Sequence, residues 1–196
     1  MKAPRLQARA WAARFVVEPP ARALLALHIH PNAITATGFA VAIAAAYLLA
    51  DGRMLAGGIV MLAGAAMDMF DGAVARLGGK ASTFGAMLDS VLDRLGEIVV
   101  LFGLLVFYVR AADDTGAYLA FGALAASLMV SYLRARSEGL GVAGDVGLMG
   151  RPERIVVLGA GLLLGYPAWA LGIITALASL TVVQRAVHVW RAGRGA

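Results

Sequence analysis

The chain has 196 residues, of which 61% are hydrophobic and only 15% charged, and its mean hydropathy is +0.80. That composition excludes an ordinary soluble domain and points to an integral membrane protein. Cysteine is absent, which excludes disulfides and thiolate metal sites. The net charge of +5 comes without any visible nucleic-acid module, so anionic lipid headgroups rather than nucleic acid are the expected partner of the basic surface.

The first residues, MKAPRLQARAWAARFVVEPP, carry scattered arginines but lack the compact apolar core and small-residue cleavage site of a secretory signal. They are expected to form a basic amphipathic helix within residues 1–22, lying on the membrane surface with Trp11 and Phe15 one turn apart as anchors. Arg14 is out of line with Arg5 and Arg9, which keeps a solvated basic tail as the alternative. Pro31-Asn32 then reads as a turn opening the first apolar segment. Six apolar segments follow, near 32–50, 54–76, 83–109, 116–136, 153–166 and 168–189, with Pro167 closing the short fifth. A crossing helix needs about 20 mostly apolar residues. The expected fold is an all-α membrane protein: six transmembrane helices (32–189) preceded by an N-terminal juxtamembrane helix, in a single domain over 1–196.

Lysine and arginine placement sets the orientation. With the N-terminus inside, the inside segments hold Lys2, Arg5, Arg9, Arg14, Arg22, Arg76, Lys80, Arg134, Arg136, Arg151, Arg154, Arg185, Arg191 and Arg194, which is 14 of the 17 basic residues. Arg53 and Arg110 fall outside and Arg94 within a span. The expected topology is N-in and C-in, in the cell (plasma) membrane.

Asp68 and Asp71 then lie on the last turns of span two, and Asp89 and Asp93 on the first turns of span three. Spacings of three and four put each pair on one helix face. The short connection containing Gly78 and Gly79 makes the two helices neighbours, so four carboxylates can gather just inside the cytoplasmic boundary. A charge at membrane depth costs at least ~3 kcal/mol on insertion scales. Arg76 and Arg94 supply two positive charges against four negative ones, whereas hard divalent cations, Mg2+ or Mn2+, suit an all-oxygen donor set and pair with substrate phosphates. Two such ions recur in phosphoryl transfer. Helix capping or headgroup ion pairing would account for one or two of these aspartates but not for four at this spacing. A cation-coupled carrier also remains compatible with the composition.

The complete spacing, Asp68-x2-Asp71-Gly72-x2-Ala75-Arg76-x8-Gly85-x3-Asp89-x3-Asp93, resembles the signature of the CDP-alcohol phosphatidyltransferase family at each of its eight fixed positions. The six-span plan behind a basic surface helix is similar to that family too. The resemblance implies transfer of a phosphatidyl group from CDP-diacylglycerol to an alcohol, with release of CMP. It implies that Asp68, Asp71 and Asp89 hold two metal ions, and that Asp93 joins them and acts as general base on the acceptor hydroxyl. It implies a homodimer, which the small residues Gly57, Gly58 and Gly64 would allow. Gly72, Arg76 and Ser82 match donor-contacting positions in relatives, as does Pro31-Asn32-Ala33-Ile34. Gly72 and Gly85 would let the diphosphate approach the backbone, with tight helix packing as the alternative. Arg76 could clamp a diphosphate oxygen or simply anchor the inside face.

A second cluster runs from Ser131 to Val157, SYLRARSEGLGVAGDVGLMGRPERIVV. Its arginines exceed what Glu138, Asp145 and Glu153 neutralise, and a phosphorylated acceptor or positive-inside anchoring would each explain the surplus. With QRAVHVW further on, the wording resembles phosphatidylinositol phosphate synthases of actinobacteria. That resemblance implies inositol 1-phosphate as acceptor, with Arg134, Arg151 and Arg185 cradling its phosphate and Arg154 as an alternate. A phosphatidylglycerophosphate synthase, using glycerol 3-phosphate, is the alternative. His28, His30 and His188 lack metal-ligand spacing and are expected to pack at the membrane interface.

Overall fold

The computed structural model describes Pro19, Leu25, residues 30–79 and residues 82–194, except the side chains of Met69, Asp71, Gly72, Ala75 and Arg76. The expected surface helix within 1–22 lies, Pro19 aside, outside the described residues. The described residues are all-helical, with six helices: α1 Pro31–Ala50, α2 Met54–Leu77, α3 Thr83–Arg110, α4 Asp114–Gly139, α5 Arg151–Leu164 and α6 Pro167–Ala192. Each coincides with one of the six apolar segments to within three residues at either end.

Local chemistry sets the boundaries. Proline opens α6 and lies in the first turns of α1 and α5, where its fixed φ suits the helix and its missing N–H is no loss. Before α1, His30 Nδ1 accepts from the Asn32 amide at 3.3 Å, so His30 caps the helix start. Ser82 Oγ accepts from the Gly85 amide (3.0 Å) at the start of α3, and Asp113 accepts from the Gly116 amide (2.9 Å) at the start of α4. Helix α5 ends on Gly165 in the left-handed conformation (φ 80°), with the amide of Tyr166 returning to Gly161 O.

Among the described residues three helices, α1, α4 and α6, are long and apolar enough to cross a membrane, and large apolar side chains such as Tyr47, Tyr118 and Trp169 are exposed along them. The chain is a membrane protein. Helix α2 is 24 residues long, and its described apolar stretch runs from Met54 to Asp68. The other two helices are less suited to crossing for identifiable reasons. The first half of α3 carries Asp89, Asp93, Arg94 and Glu97. Helix α5 has 14 residues, about 21 Å of helix against a hydrocarbon core of about 30 Å.

The chain divides into two compact units. The first comprises Met1–Val41 and Ala63–Gly96; its described core is Ile34, Ala73 and Val74, with Leu25 and Phe70 packed against them. The second comprises Ala42–Leu62 and Glu97–Ala196, and its core is built on Leu49, Leu101, Leu104, Leu162, Leu171 and Ile174. Within it α6 packs against both α4 and α5. Glycines set the close approaches: a Cβ on Gly103 would lie 2.4 Å from Ala46 O, and one on Gly161 would lie 2.4 Å from Ala170 Cβ.

Gly57, Gly58 and Gly64 correct one expectation. Their open sides face Leu49, Leu162 and Val41 of this same chain, so these glycines serve packing within the chain and supply no free face for a second copy.

Candidate active site

In the first unit the four aspartates sit where helical spacing requires, Asp68 and Asp71 three residues apart on α2, Asp89 and Asp93 four apart on α3. Asp68, Asp89 and Asp93 are all partly buried, and the connection between the two helices is only residues 78–82, with Gly79 at φ 62°. The side chain of Asp71 lies outside the described residues, as do those of Gly72 and Arg76. Among the described residues no three acidic or imidazole groups form a ready metal cage. The chemistry of the donor set nonetheless suits a hard divalent cation, because it is made of partly buried carboxylate oxygens without sulfur or imidazole.

Asp68 has a neighbour that sequence reasoning did not single out. A Cβ on Gly38 of α1 would stand 2.7 Å from Asp68 Oδ1, so the carboxylate occupies the space that only glycine leaves open. The signal was a lone glycine inside an otherwise apolar helix, which by itself reads as packing. Gly38→Ala is expected to displace that carboxylate and lower kcat/KM by about ten- to a hundredfold. Gly172→Ala, where the nearest atom would be 3.9 Å away, should leave activity unchanged. Equal activity of the two variants in a CMP-release assay would show that the carboxylate shifts aside without loss and that the site does not depend on Gly38.

The expected donor residues separate into two groups. Asn32, Ser82 and Gly85 come together: a Cβ on Gly85 would lie 3.0 Å from Ser82 Oγ and 3.3 Å from Asn32 Oδ1. Position 85 is therefore already closely approached by the chain's own polar side chains before any ligand arrives. Pro31 and Ile34 are buried, Ile34 in the core with Ala73 and Val74, whereas Ala33 is exposed.

The arginine cluster lies in the second unit. Arg134 pairs with Glu138 (2.9 Å) with both side chains about half exposed, and Arg151 is the partly buried first residue of α5. Arg185 is 5% exposed; Nε donates to Val146 O at 2.8 Å and Nη1 to Val130 O. Arg154 bonds the same connection three residues further on, at Met149, and is already committed within the chain. It is 2% exposed and gripped in a bidentate pair by Glu97 of α3, Nε to Oε1 at 2.6 Å and Nη2 to Oε2 at 2.8 Å. Its Nη1 donates to Met149 O at 3.3 Å. An alternate phosphate ligand was expected here; the structure instead commits this guanidinium to Glu97, 57 residues earlier in the chain.

Carboxylates paired at helical spacing on consecutive helices, and arginines farther along the chain, are thus carried by a helical membrane protein. The family model for CDP-alcohol phosphatidyltransferase matches residues 28–190. The chain belongs to the CDP-alcohol phosphatidyltransferase family and is an enzyme of that class. It is 40% identical over 164 residues, 81% of this chain and 82% of the relative, to the archaetidylinositol phosphate synthase of Methanothermobacter thermautotrophicus. It is 36% identical to the phosphatidylinositol phosphate synthase of Mycolicibacterium smegmatis, covering 91% of this chain and 85% of that one. Among solved structures it resembles the phosphatidylinositol phosphate synthase of Mycobacterium tuberculosis with CDP-DAG bound, at 30% identity and a TM-score of 0.82, over 89% of this chain and 94% of that one. It likewise resembles the same enzyme in complex with manganese and citrate, at a TM-score of 0.80 over 88% of each chain.

Proposed function

We propose that this protein transfers the phosphatidyl group of CDP-diacylglycerol to inositol 1-phosphate, releasing CMP. One observation carries the acceptor: the archaeal and mycobacterial relatives differ in the lipid half of their names but share inositol phosphate as the head group. The CDP-DAG bound in the mycobacterial structure supports the donor. Because the archaeal relative is an archaetidylinositol phosphate synthase, a CDP-activated archaetidyl donor is the second reading.

In this mechanism Asp68, Asp71, Asp89 and Asp93 would hold two divalent ions, Mg2+ or Mn2+. Such ions, when bound, neutralise the diphosphate and polarise its phosphorus. Asp93 accepts the proton of the acceptor hydroxyl, whose oxygen bonds to the phosphorus bearing diacylglycerol. The bond from that phosphorus to the bridging oxygen breaks, and CMP leaves with the electron pair. Asn32, Ser82 and Gly85, with Pro31, Ala33, Ile34, Gly72 and Arg76, frame the donor. Arg134, Arg151 and the charge of Arg185 take the acceptor phosphate. Positioning and charge compensation supply most of the rate, as in phosphoryl transfer generally.

All six helices cross or enter the plasma membrane in this proposal, N-terminus and C-terminus inside, with the site on the cytoplasmic side. The short α5 is accommodated by local thinning of the bilayer. The enzyme works as a homodimer.

The deciding assay measures CMP release by purified protein with CDP-diacylglycerol and Mg2+ or Mn2+, offering inositol 1-phosphate, free inositol, glycerol 3-phosphate and serine separately. Turnover is expected with inositol 1-phosphate alone. Turnover with glycerol 3-phosphate would overturn the acceptor assignment and keep the class of reaction.

A further inference from the structure

Between α4 and α5 the chain runs without helix through residues 140–150, and the stretch Val146–Met149 is held by side chains rather than by turns. Arg185 Nε donates to Val146 O (2.8 Å), and Gln184 Oε1 accepts from the Leu148 amide (3.3 Å). Thr181 Oγ1 accepts from the Met149 amide (3.0 Å), and Arg154 Nη1 donates to Met149 O (3.3 Å). Each holder is itself fixed. Thr181 is fully buried and its hydroxyl donates to Leu177 O at 2.8 Å. Arg154 is clamped by Glu97, and Arg185 also reaches Val130 O on α4. Gly147 has φ 115°, and a Cβ there would lie 2.4 Å from Thr181 Cγ2, so the stretch is pressed flat against α6.

A surface connection normally satisfies its backbone with turns or water. Four bonds from side chains on two different helices do more than close this one. They fix what flanks the stretch: upstream, Gly144 lies against the α4 backbone, where its Cβ would stand 2.8 Å from Arg134 O. Downstream, Arg151 follows two residues after Met149 as the first residue of α5.

We infer that Thr181, Gln184 and the Glu97–Arg154 pair are positioning residues for the acceptor, locking Val146–Met149 so that Arg134 and Arg151 present their guanidinium groups at one fixed spacing to the acceptor phosphate. This rests on the proposed acceptor site. None of the positioning residues touches substrate. Their effect falls on acceptor affinity and leaves the donor and the chemical step alone.

Steady-state kinetics of the full chain in detergent or lipid nanodiscs test this, varying inositol 1-phosphate and CDP-diacylglycerol in turn. Thr181→Val keeps the shape and removes the oxygen that the Met149 amide needs. It is expected to raise the KM for inositol 1-phosphate about tenfold while the donor KM and kcat stay within about twofold. Thr181→Ser, which keeps the hydroxyl, should restore the wild-type KM. Gln184→Leu, at a half-buried position, should raise the same KM about threefold. An unchanged acceptor KM in both Thr181→Val and Gln184→Leu overturns the inference, as does a parallel fall in kcat and donor affinity. A wild-type enzyme that turns over another acceptor but not inositol 1-phosphate overturns the functional reading, and this inference with it.

Discussion

Asparagine in place of Asp93 is expected to cut CMP release from CDP-diacylglycerol by at least about a hundredfold, with the protein still folded and able to bind the donor. A positioned general base contributes typically about 10²- to 10⁴-fold, and an amide of the same shape cannot take the acceptor's proton. Asp93 stands on the first half of α3, partly buried, four residues after Asp89 and on the same helix face. The expected loss is in kcat, because donor contacts are assigned to other residues. Donor affinity measured by equilibrium binding should change by less than about threefold, and the melting temperature should not fall. Asp89→Asn is the informative comparison: it should weaken metal affinity, shifting activation to higher Mg2+ or Mn2+, where excess metal restores part of the rate. Excess metal should not rescue Asp93→Asn. Full activity of Asp93→Asn would end the assignment of Asp93 as base, and rescue by metal would reduce it to a ligand.

The helices were legible in the sequence because their boundaries are written in short-range chemistry. Pro31, Asp113, Pro152 and Pro167 lie at or beside helix starts, Gly165 closes α5, and the apolar runs between them are nearly uninterrupted. The aspartate pairs were legible for the same reason, since spacing of three or four along a helix determines a shared face without any knowledge of tertiary structure. What could not be read was long-range pairing. Arg154 looked like one more arginine of a basic cluster, and nothing near it in sequence points to Glu97 on a helix two elements earlier. Gly57, Gly58 and Gly64 read as residues that would allow a second copy, because a small residue is marked by what it permits, and only the fold shows that Leu49, Leu162 and Val41 pack there. Thr181 and Gln184 lay in an apolar helix with no signal of a role, since each acts on a backbone amide more than thirty residues away. Gly38 belongs to the same class, with its reason in Asp68, thirty positions on.

The Glu97–Arg154 pair should dominate the stability of the second unit. Glu97→Ala is expected to lower it by about 3–5 kcal/mol, because removal of one partner strands a buried guanidinium whose side chain is only 2% exposed. The apparent melting temperature in detergent should drop by roughly 10 °C for a chain of this length. The sign of a second experiment separates a lost attraction from a stranded charge. If the cost lies in the uncompensated charge, replacing both residues with leucine should recover most of the loss, since a well-packed apolar pair is often as stable as a buried ion pair. The double variant would still lack the Arg154 bond to Met149 O, so its acceptor KM should remain raised while its melting temperature returns. An Arg53→Ala variant is the contrast: that ion pair with Asp51 measures 2.9 Å but is 67% and 48% exposed, and its loss should be almost without effect. If Glu97→Ala melts with the wild type, solvent reaches Arg154 and the pair is not the clamp described. If the double leucine variant recovers both stability and acceptor KM, the bond to Met149 O does nothing for the acceptor, and Thr181 and Gln184 alone hold the stretch.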